Sequence, residues 1–258
     1  LWLMEVLEWV SYHSANHVIG LSPGIAKGIE SRGVKKNKID IVPNGCDLEL
    51  FNPDGVTRST LADFVPGDYC AVFAGTHGLA NGLDELINVA GELKNLGRSD
   101  ISLLFVGEGF LKEGLIRKAK IRGLNNCVFL DPVSKIELAN IFRQADIGLM
   151  VLSDVPAFYY GTSPNKFFDY ISSGLPVINN YPGWIAEVIE ENFCGALVSP
   201  GDAKQFAAKI IEICDNDDAR AAMASSARDL AESTFSRRQL ADSFVDVLEL
   251  VGNSCLKK

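Results

Sequence analysis

Residues 70–82 read CAVFAGTHGLANG, an unbroken apolar run of five residues closed by a glycine-rich loop. A run of this length without polar alternation predicts a strand covered on both faces, as in a parallel sheet. Gly75, Gly78 and Gly82 punctuate the loop, and a helical pattern over 82–96 follows directly. Glycines there let backbone N–H groups approach an anion, and the helix start adds a favourable dipole. The same residues also suit a tight strand–helix turn, and the loop alone does not decide between the two readings.

The alternation continues along the chain. Apolar runs over 101–106, 127–130, 147–151, 176–179 and 196–198 are separated by helical patterns over 111–122, 135–145, 165–173 and 185–191, and another helix covers 203–214. This succession predicts an α/β fold with a Rossmann-like doubly wound parallel sheet. A last helix over 236–251 carries Leu240, Phe244, Leu248 and Val251 on one stripe. Upstream, a strand over 17–21, a helix over 24–32 and a strand over 39–42 look like the end of a preceding α/β domain. Residues 43–55 (PNGCDLELFNPDG) have turn composition and mark a junction. The expected division is therefore 1–45 as the end of an N-terminal domain, 46–65 as a linker, 66–235 as the main domain and 236–258 as a terminal crossover helix.

The chain begins at Leu1, inside a helical pattern without a start signal, so an N-terminal portion is expected to precede it. Trp2, Val6, Trp9 and Val10 share one face of that helix, which suits packing on a neighbour better than a membrane surface. Glu5 and Glu8 interrupt the run, which also lacks a basic n-region, so it reads as neither a signal peptide nor a span.

With 258 residues, 47% hydrophobic and 22% charged, the composition is that of an ordinary globular protein. The formal charge of −9 disfavours duplex nucleic acid as a partner, because that needs a positive face. Cys46, Cys70, Cys127, Cys194, Cys214 and Cys255 include no C-x-x-C pair, and suit buried reduced thiols in a cytoplasmic protein. His13, His17 and His77 have no metal-ligand spacing, so no metal is expected. Neither a G-x-S-x-G elbow, a P-loop nor a G-x-G-x-x-G fingerprint occurs, which disfavours a hydrolase, an NTPase and a nicotinamide cofactor.

Ligands of open α/β sheets collect at the carboxyl ends of the strands. Besides the first glycine loop, two such places carry candidate groups. Gly107, Glu108 and Gly109 follow one strand and Leu130, Asp131 and Pro132 another; both turns can present backbone groups to a planar base, or be ordinary turns. In 161–174 (GTSPNKFFDYISSG), Thr162 and Ser163 offer hydroxyls and N–H groups at a helix start. Lys166 and Asp169 are three apart on one helix face, either as a surface ion pair or as two arms toward one ligand.

These pieces, in order, resemble a known family. They are Ser22-Pro23-Gly24, Lys38-Ile39 with Pro43-Asn44-Gly45-Cys46-Asp47, Phe51-Asn52-Pro53, the first glycine loop, Val106-Gly107-Glu108-Gly109, Pro164-Asn165-Lys166 with Asp169-Tyr170, and Gly174-Leu175-Pro176-Val177-Ile178. The set is similar to the retaining glycosyltransferases of family 4, which have the GT-B fold, and within them to bacterial envelope-polysaccharide transferases related to L-fucosamine (N-acetyl-L-fucosamine) transferases. The resemblance implies two Rossmann-like domains, the first holding acceptor and the second a nucleotide-sugar donor. This chain would carry the second domain and the tail of the first, and alone it would transfer nothing.

By the same resemblance Asp169 matches the second acid of an E-x7-E motif and would bind ribose, while the first acid falls on Gly161. The usual Arg and Lys of the glycine loop fall on Thr76 and Asn81. Lys166 becomes the expected catalytic cation on the leaving diphosphate, with Gly75, Thr76, Gly78, Thr162 and Ser163 beside it. Gly107, Glu108, Leu130, Asp131 and Pro132 would read the base. The implied reaction is metal-independent transfer of an amino or deoxy-amino hexose from a UDP-sugar to a saccharide or lipid-linked saccharide in polysaccharide assembly, in the cytoplasm or at the inner membrane face. No cofactor is implied, since the sugar nucleotide is a substrate. A UDP-N-acetylglucosamine 2-epimerase-like enzyme and a non-catalytic nucleotide-sugar-binding module are the alternatives.

Overall fold

The computed structural model of the chain describes residues 2–55, 61 and 65–256. Residues 56–60 and 62–64 of the expected linker, the last two residues of the terminal segment and the side chain of Cys255 lie outside the described residues. Helix α1 (Trp2–Ser14) leads into β1 (Val18–Gly20), α2 (Pro23–Ser31) and β2 (Ile39–Ile41). The two strands pair in parallel, Val18 opposite Ile39. Ser22 starts α2 by accepting the Ile25 N–H at 3.1 Å, and Pro23 fills the first helical position, where a missing N–H costs nothing. Helix α1 forms as expected, but none of its described residues is buried, and Trp2 is 75% exposed. On the apolar face expected to pack on a neighbour, Val6, Val10 and Trp9 are also 37–57% exposed, and the Trp9 ring stacks on His13.

The main sheet runs through β3 (Tyr69–Ala74), α3 (Asp84–Asn95), β4 (Ile101–Val106), α4 (Lys112–Ile121), β5 (Cys127–Leu130), α5 (Lys135–Phe142) and β6 (Ile147–Met150). It continues through α6 (Pro156–Tyr159), α7 (Asn165–Ser172), β7 (Val177–Asn179), α8 (Trp184–Glu191), β8 (Gly195–Leu197), α9 (Ala203–Cys214), α10 (Asp217–Ser233) and α11 (Arg237–Leu256). All pairings are parallel, in the order β5-β4-β3-β6-β7-β8. This is the doubly wound arrangement, with the order reversing between β3 and β6. The unbroken apolar runs have their cause here. Val72, Leu104 and Met150 belong to the core on one face, with Phe167 and Ile171 of α7. Ala71, Phe73, Leu103 and Phe105 belong to the core on the other, with Leu86 of α3 and Phe206 of α9.

Every expected strand is present within a residue or so at its ends. The one-turn helix α6 and the long helix α10 have no counterpart among the expected helices. Helix α10 is rich in alanine and has few large apolar side chains, so it shows no stripe. Its start is nonetheless written locally, because Asn216 caps Ala219 N–H at 2.9 Å and Asp217 and Asp218 fill the first turn. The sequence does hold one D-x-D triplet, Asp215-Asn216-Asp217, and it is accounted for by this cap. Asp215 is held by Arg98 and Asp217 by Arg220, away from the carboxyl ends of the strands. Arg228 of α10 donates to Ser172 O at 2.5 Å, tying α10 to the end of α7.

Strands β3 and β6 are paired only at Ala71–Ile147 and Val72–Gly148 and then diverge. Divergence leaves β3 backbone groups facing a gap, and the side chain of Tyr170 from α7 fills it. Its fully buried hydroxyl accepts from Ala74 N–H at 3.0 Å and donates to Val72 O at 3.1 Å. Gly148 makes room for the ring, since a Cβ there would stand 2.6 Å from Tyr170 Cγ. Replacing Tyr170→Phe strands both backbone groups, and should lower the unfolding free energy in urea by about 1–3 kcal/mol without changing the slope.

Candidate active site at the sheet switch point

A cleft of about 590 Å³ opens where β3 and β6 part, between the loops after β3, β4 and β5 and the first turns of α5 and α7. Gly75, Thr76, Gly107, Glu108, Pro132, Lys166 and Asp169 all line it, so these residues, far apart in the chain, meet as the sequence reading expected. Lys166 and Asp169 do not pair with each other. The Lys166 ammonium lies 4.0 Å from the centre of the Phe73 ring and donates to Asn81 Oδ1 at 3.1 Å. No carboxylate pairs with it among the described residues, and burial lowers its pKa to about 7. A cation held over an aromatic face and short of water is partly stabilised by the ring quadrupole. It remains a charge in want of an anion.

Asp169 meets Lys135 instead, Nζ to Oδ2 at 2.5 Å. Burial raises the Asp169 pKa, and the ammonium of Lys135 opposes that rise. Nothing in the sequence pairs Lys135 with Asp169, because 34 residues separate them. A local signal does place Lys135 itself, since Ser134 and Glu137 form a capping box that sets it at the first position of α5.

The loops around the cleft are laced together. Gly75 N–H donates to Val106 O at 2.9 Å, and His77 N–H to Glu108 O at 2.8 Å. Gly107 and Gly109 adopt φ of 142° and 157°, and a Cβ on Gly107 would fall 2.1 Å from Gly75 O. Beneath them Lys112 is buried and donates to Gly107 O at 2.9 Å, Leu130 O at 3.0 Å and Asp131 Oδ1 at 2.6 Å. Lys112 holds the Asp131 carboxyl below the usual range. His77 packs against Phe73, Phe105 and Phe129, and burial, with Lys112 beside it, lowers its pKa.

Several expected groups lie elsewhere. Leu130 and Asp131 are engaged by Lys112 and do not line the cleft; Pro132 does, next to Val133. Gly78 accepts the Asn81 N–H at 3.2 Å in a short turn, also outside the lining. Ser163 is taken by Asn44, whose side-chain amide donates to Ser163 O at 2.6 Å and whose N–H reaches Ser163 Oγ at 3.3 Å. The Thr162 carbonyl accepts from Trp184 Nε1 at 2.5 Å, and its hydroxyl is buried. These two residues hold the ridge before α7 in place; the cleft is lined by Pro164 and Asn165 there. Among the described residues no group of three His, Cys, Asp or Glu stands together to hold a metal ion.

An open parallel sheet with a cleft at its switch point is the arrangement in which doubly wound domains hold their ligands. The profile of the family described as Glycosyl transferases group 1 matches residues 63–230, and the chain belongs to that family. It is 27% identical over 230 residues to the D-inositol 3-phosphate glycosyltransferase of Corynebacterium kroppenstedtii, covering 81% of this chain and 48% of that one. The chain thus spans about half the length of the curated relatives it matches. The fold is also that of Anabaena Alr3699/HepE in complex with UDP and glucose, at TM-score 0.72 and 18% identity over 91% of this chain and 63% of that one. Sucrose-phosphate synthase from Thermosynechococcus elongatus superposes with TM-score 0.79 and 20% identity, over 98% and 63% of the two chains. These likenesses give the chain the fold of the nucleotide-sugar half of GT-B glycosyltransferases.

Lys166 carries a testable signature in stability. Its pKa lies below the ordinary lysine value of 10.5, so between about 7 and 10.5 the unfolded chain binds the extra proton and stability rises with pH. Below that window the folded chain bears the full cost of the desolvated charge. Lys166→Met should therefore be more stable than the parent at pH 6, with the difference shrinking toward pH 10, in urea denaturation across that range.

Proposed function

We propose that the chain supplies the donor half of a retaining, metal-independent glycosyltransferase, moving an amino or deoxy-amino hexose from a UDP-sugar to a lipid-linked saccharide in polysaccharide assembly. The observation that carries this reading is Lys166, desolvated and without a counter-anion where the loops after β3 and β4 meet α7. A diphosphate supplies the missing charge. Lys166, the backbone of Gly75 and Thr76 and the first turn of α7 then surround the phosphates. Asp169, oriented by Lys135, accepts from the ribose hydroxyls. The base lies against Pro132 and Val133, beside Gly107 and Glu108.

In the transfer step the bond from the anomeric carbon to the phosphate oxygen breaks, and negative charge collects on the diphosphate. Lys166 is held where that charge appears, in a site with little water, so its stabilisation grows along the reaction. UDP and glucose bound by the Anabaena protein, and the glycosyl transfer named for the inositol phosphate enzyme, accord with this class of donor and reaction. The polysaccharide setting and the amino sugar rest on the likeness of the glycine loop 75–82 and of the 164–170 segment to the envelope-polysaccharide transferases. Binding without transfer is the second reading, favoured by Gly161 standing where that family has its first acid.

Calorimetry of the chain with UDP-glucose and UDP-N-acetylglucosamine tests the donor site. Because the Lys166 pKa is about 7, donor binding should take up a proton and weaken roughly tenfold from pH 6 to pH 8. Lys166→Met should weaken it by about 1.5–3 kcal/mol at pH 6 and abolish the pH dependence. Unchanged affinity and an unchanged pH profile in the variant would remove Lys166 from the phosphate site. In the protein that also carries an acceptor domain, proton NMR of the first-formed glycoside reads retention, and no product with intact donor binding selects the second reading.

A further inference from the structure

A second cavity, of about 550 Å³, lies at the carboxyl ends of β7 and β8, on the same end of the sheet as the donor cleft. Three tyrosines shape it. Tyr159 is stacked on Tyr181, ring centres 6.4 Å apart and planes at 10°, and Tyr160 stands edge-on to Tyr159 at 6.5 Å. Tyr160 is 57% exposed, an aromatic face open to solvent. Asp154, Glu187 and Glu190 bring carboxylates to the walls, and no Lys, Arg or His is among the described residues that line it. Asn179 lines the cavity from the end of β7 and is fully buried. Its amide nitrogen donates to Tyr181 O at 2.5 Å, while Oδ1 has no hydrogen-bond partner.

This is a different chemistry from the donor cleft. Carboxylates without a cation repel phosphate, so a nucleotide does not belong here. Acceptor oxygens ringing an aromatic platform suit a ligand that is rich in hydroxyl donors and has an apolar C–H face. An uncharged sugar ring has both, and a buried, unpartnered acceptor such as Asn179 Oδ1 gains most from a hydroxyl.

The cavity is also in reach of the donor. Tyr160 lines one cavity and Pro164 the other, and four residues span at most about 14 Å. The ridge between them is fixed by Asn44 on Ser163 and Trp184 on Thr162. Residues of the first α/β unit approach it too, since a Cβ on Gly24 would fall 1.7 Å from Tyr160 O.

We propose that this cavity is a subsite for an uncharged sugar ring of the acceptor, the acceptor role resting on the donor reading of the first cleft. The test is titration of the 258-residue chain with methyl α-D-glucopyranoside and with maltose, followed by amide NMR and repeated with saturating UDP and UDP-glucose. Shifts at Tyr160, Gly183 and Glu187 with affinity on the order of millimolar, unchanged by either nucleotide, are the expected result. Tyr160→Ala and Glu187→Gln, both at exposed positions, should weaken the sugar roughly tenfold and a few-fold while leaving UDP affinity alone. No shifts at sugar concentrations of roughly 100 mM, equal affinity in Tyr160→Ala, or shifts there from inorganic phosphate would overturn the proposal. Displacement by UDP-glucose but not by UDP would overturn it as well, assigning the cavity to the donor's own sugar. Sugar binding without any UDP binding would uphold the sugar site and defeat the donor reading.

Discussion

The Tyr170 hydroxyl sits where two neighbouring strands cease to pair. A doubly wound sheet makes its ligand crevice by letting the central strands run to opposite sides, and the divergence exposes main-chain groups that water cannot reach. Here one phenol serves both the Ala74 N–H and the Val72 carbonyl. Because Tyr170 belongs to α7, the anchor also sets that helix. Lys166 lies four residues earlier and Asp169 one, so helical spacing brings both to the cleft. The site inherits its geometry from a repair of the sheet.

Charge placement follows from the same economy. The protein is acidic overall, yet its two cleft lysines are arranged differently. Lys135 is neutralised by Asp169, whereas Lys166 has only an amide oxygen and a phenylalanine face. Lys112, a third cation nearby, is fully committed to carbonyls and Asp131, and serves to bind the loops after β4 and β5 into one rigid wall. An unpaired charge short of water destabilises a fold, and such costs gather at functional sites. That difference sets Lys166 apart from two paired cations of the same residue type.

Much of this was legible beforehand, and the misses share a cause. Strands of five or six apolar residues could be read from periodicity because both faces of the sheet are covered. Helix α10 escaped because alanine carries helix propensity without a stripe, although Asn216 and the acids after it marked its start. Among the residues that line the cleft, Gly75, Thr76, Lys166 and Asp169 are legible from loops and helix starts. Lys135 is not, because its role depends on Asp169, which only the folded chain brings near it. Thr162 and Ser163 look like phosphate ligands by type and place, but Asn44 and Trp184 engage their main-chain groups.

The order of apolar runs, glycine loops and helix starts therefore determined the fold class and the end of the sheet that carries the site, because those features depend on neighbours in sequence. The ordered motifs further identified the family. Tertiary structure alone decided which lysine stays unpaired, which candidate residues lie outside the cleft lining, and that a second, cation-free cavity opens beside the first. Burial and partnership set those outcomes, and both are properties of contacts between residues far apart in the chain.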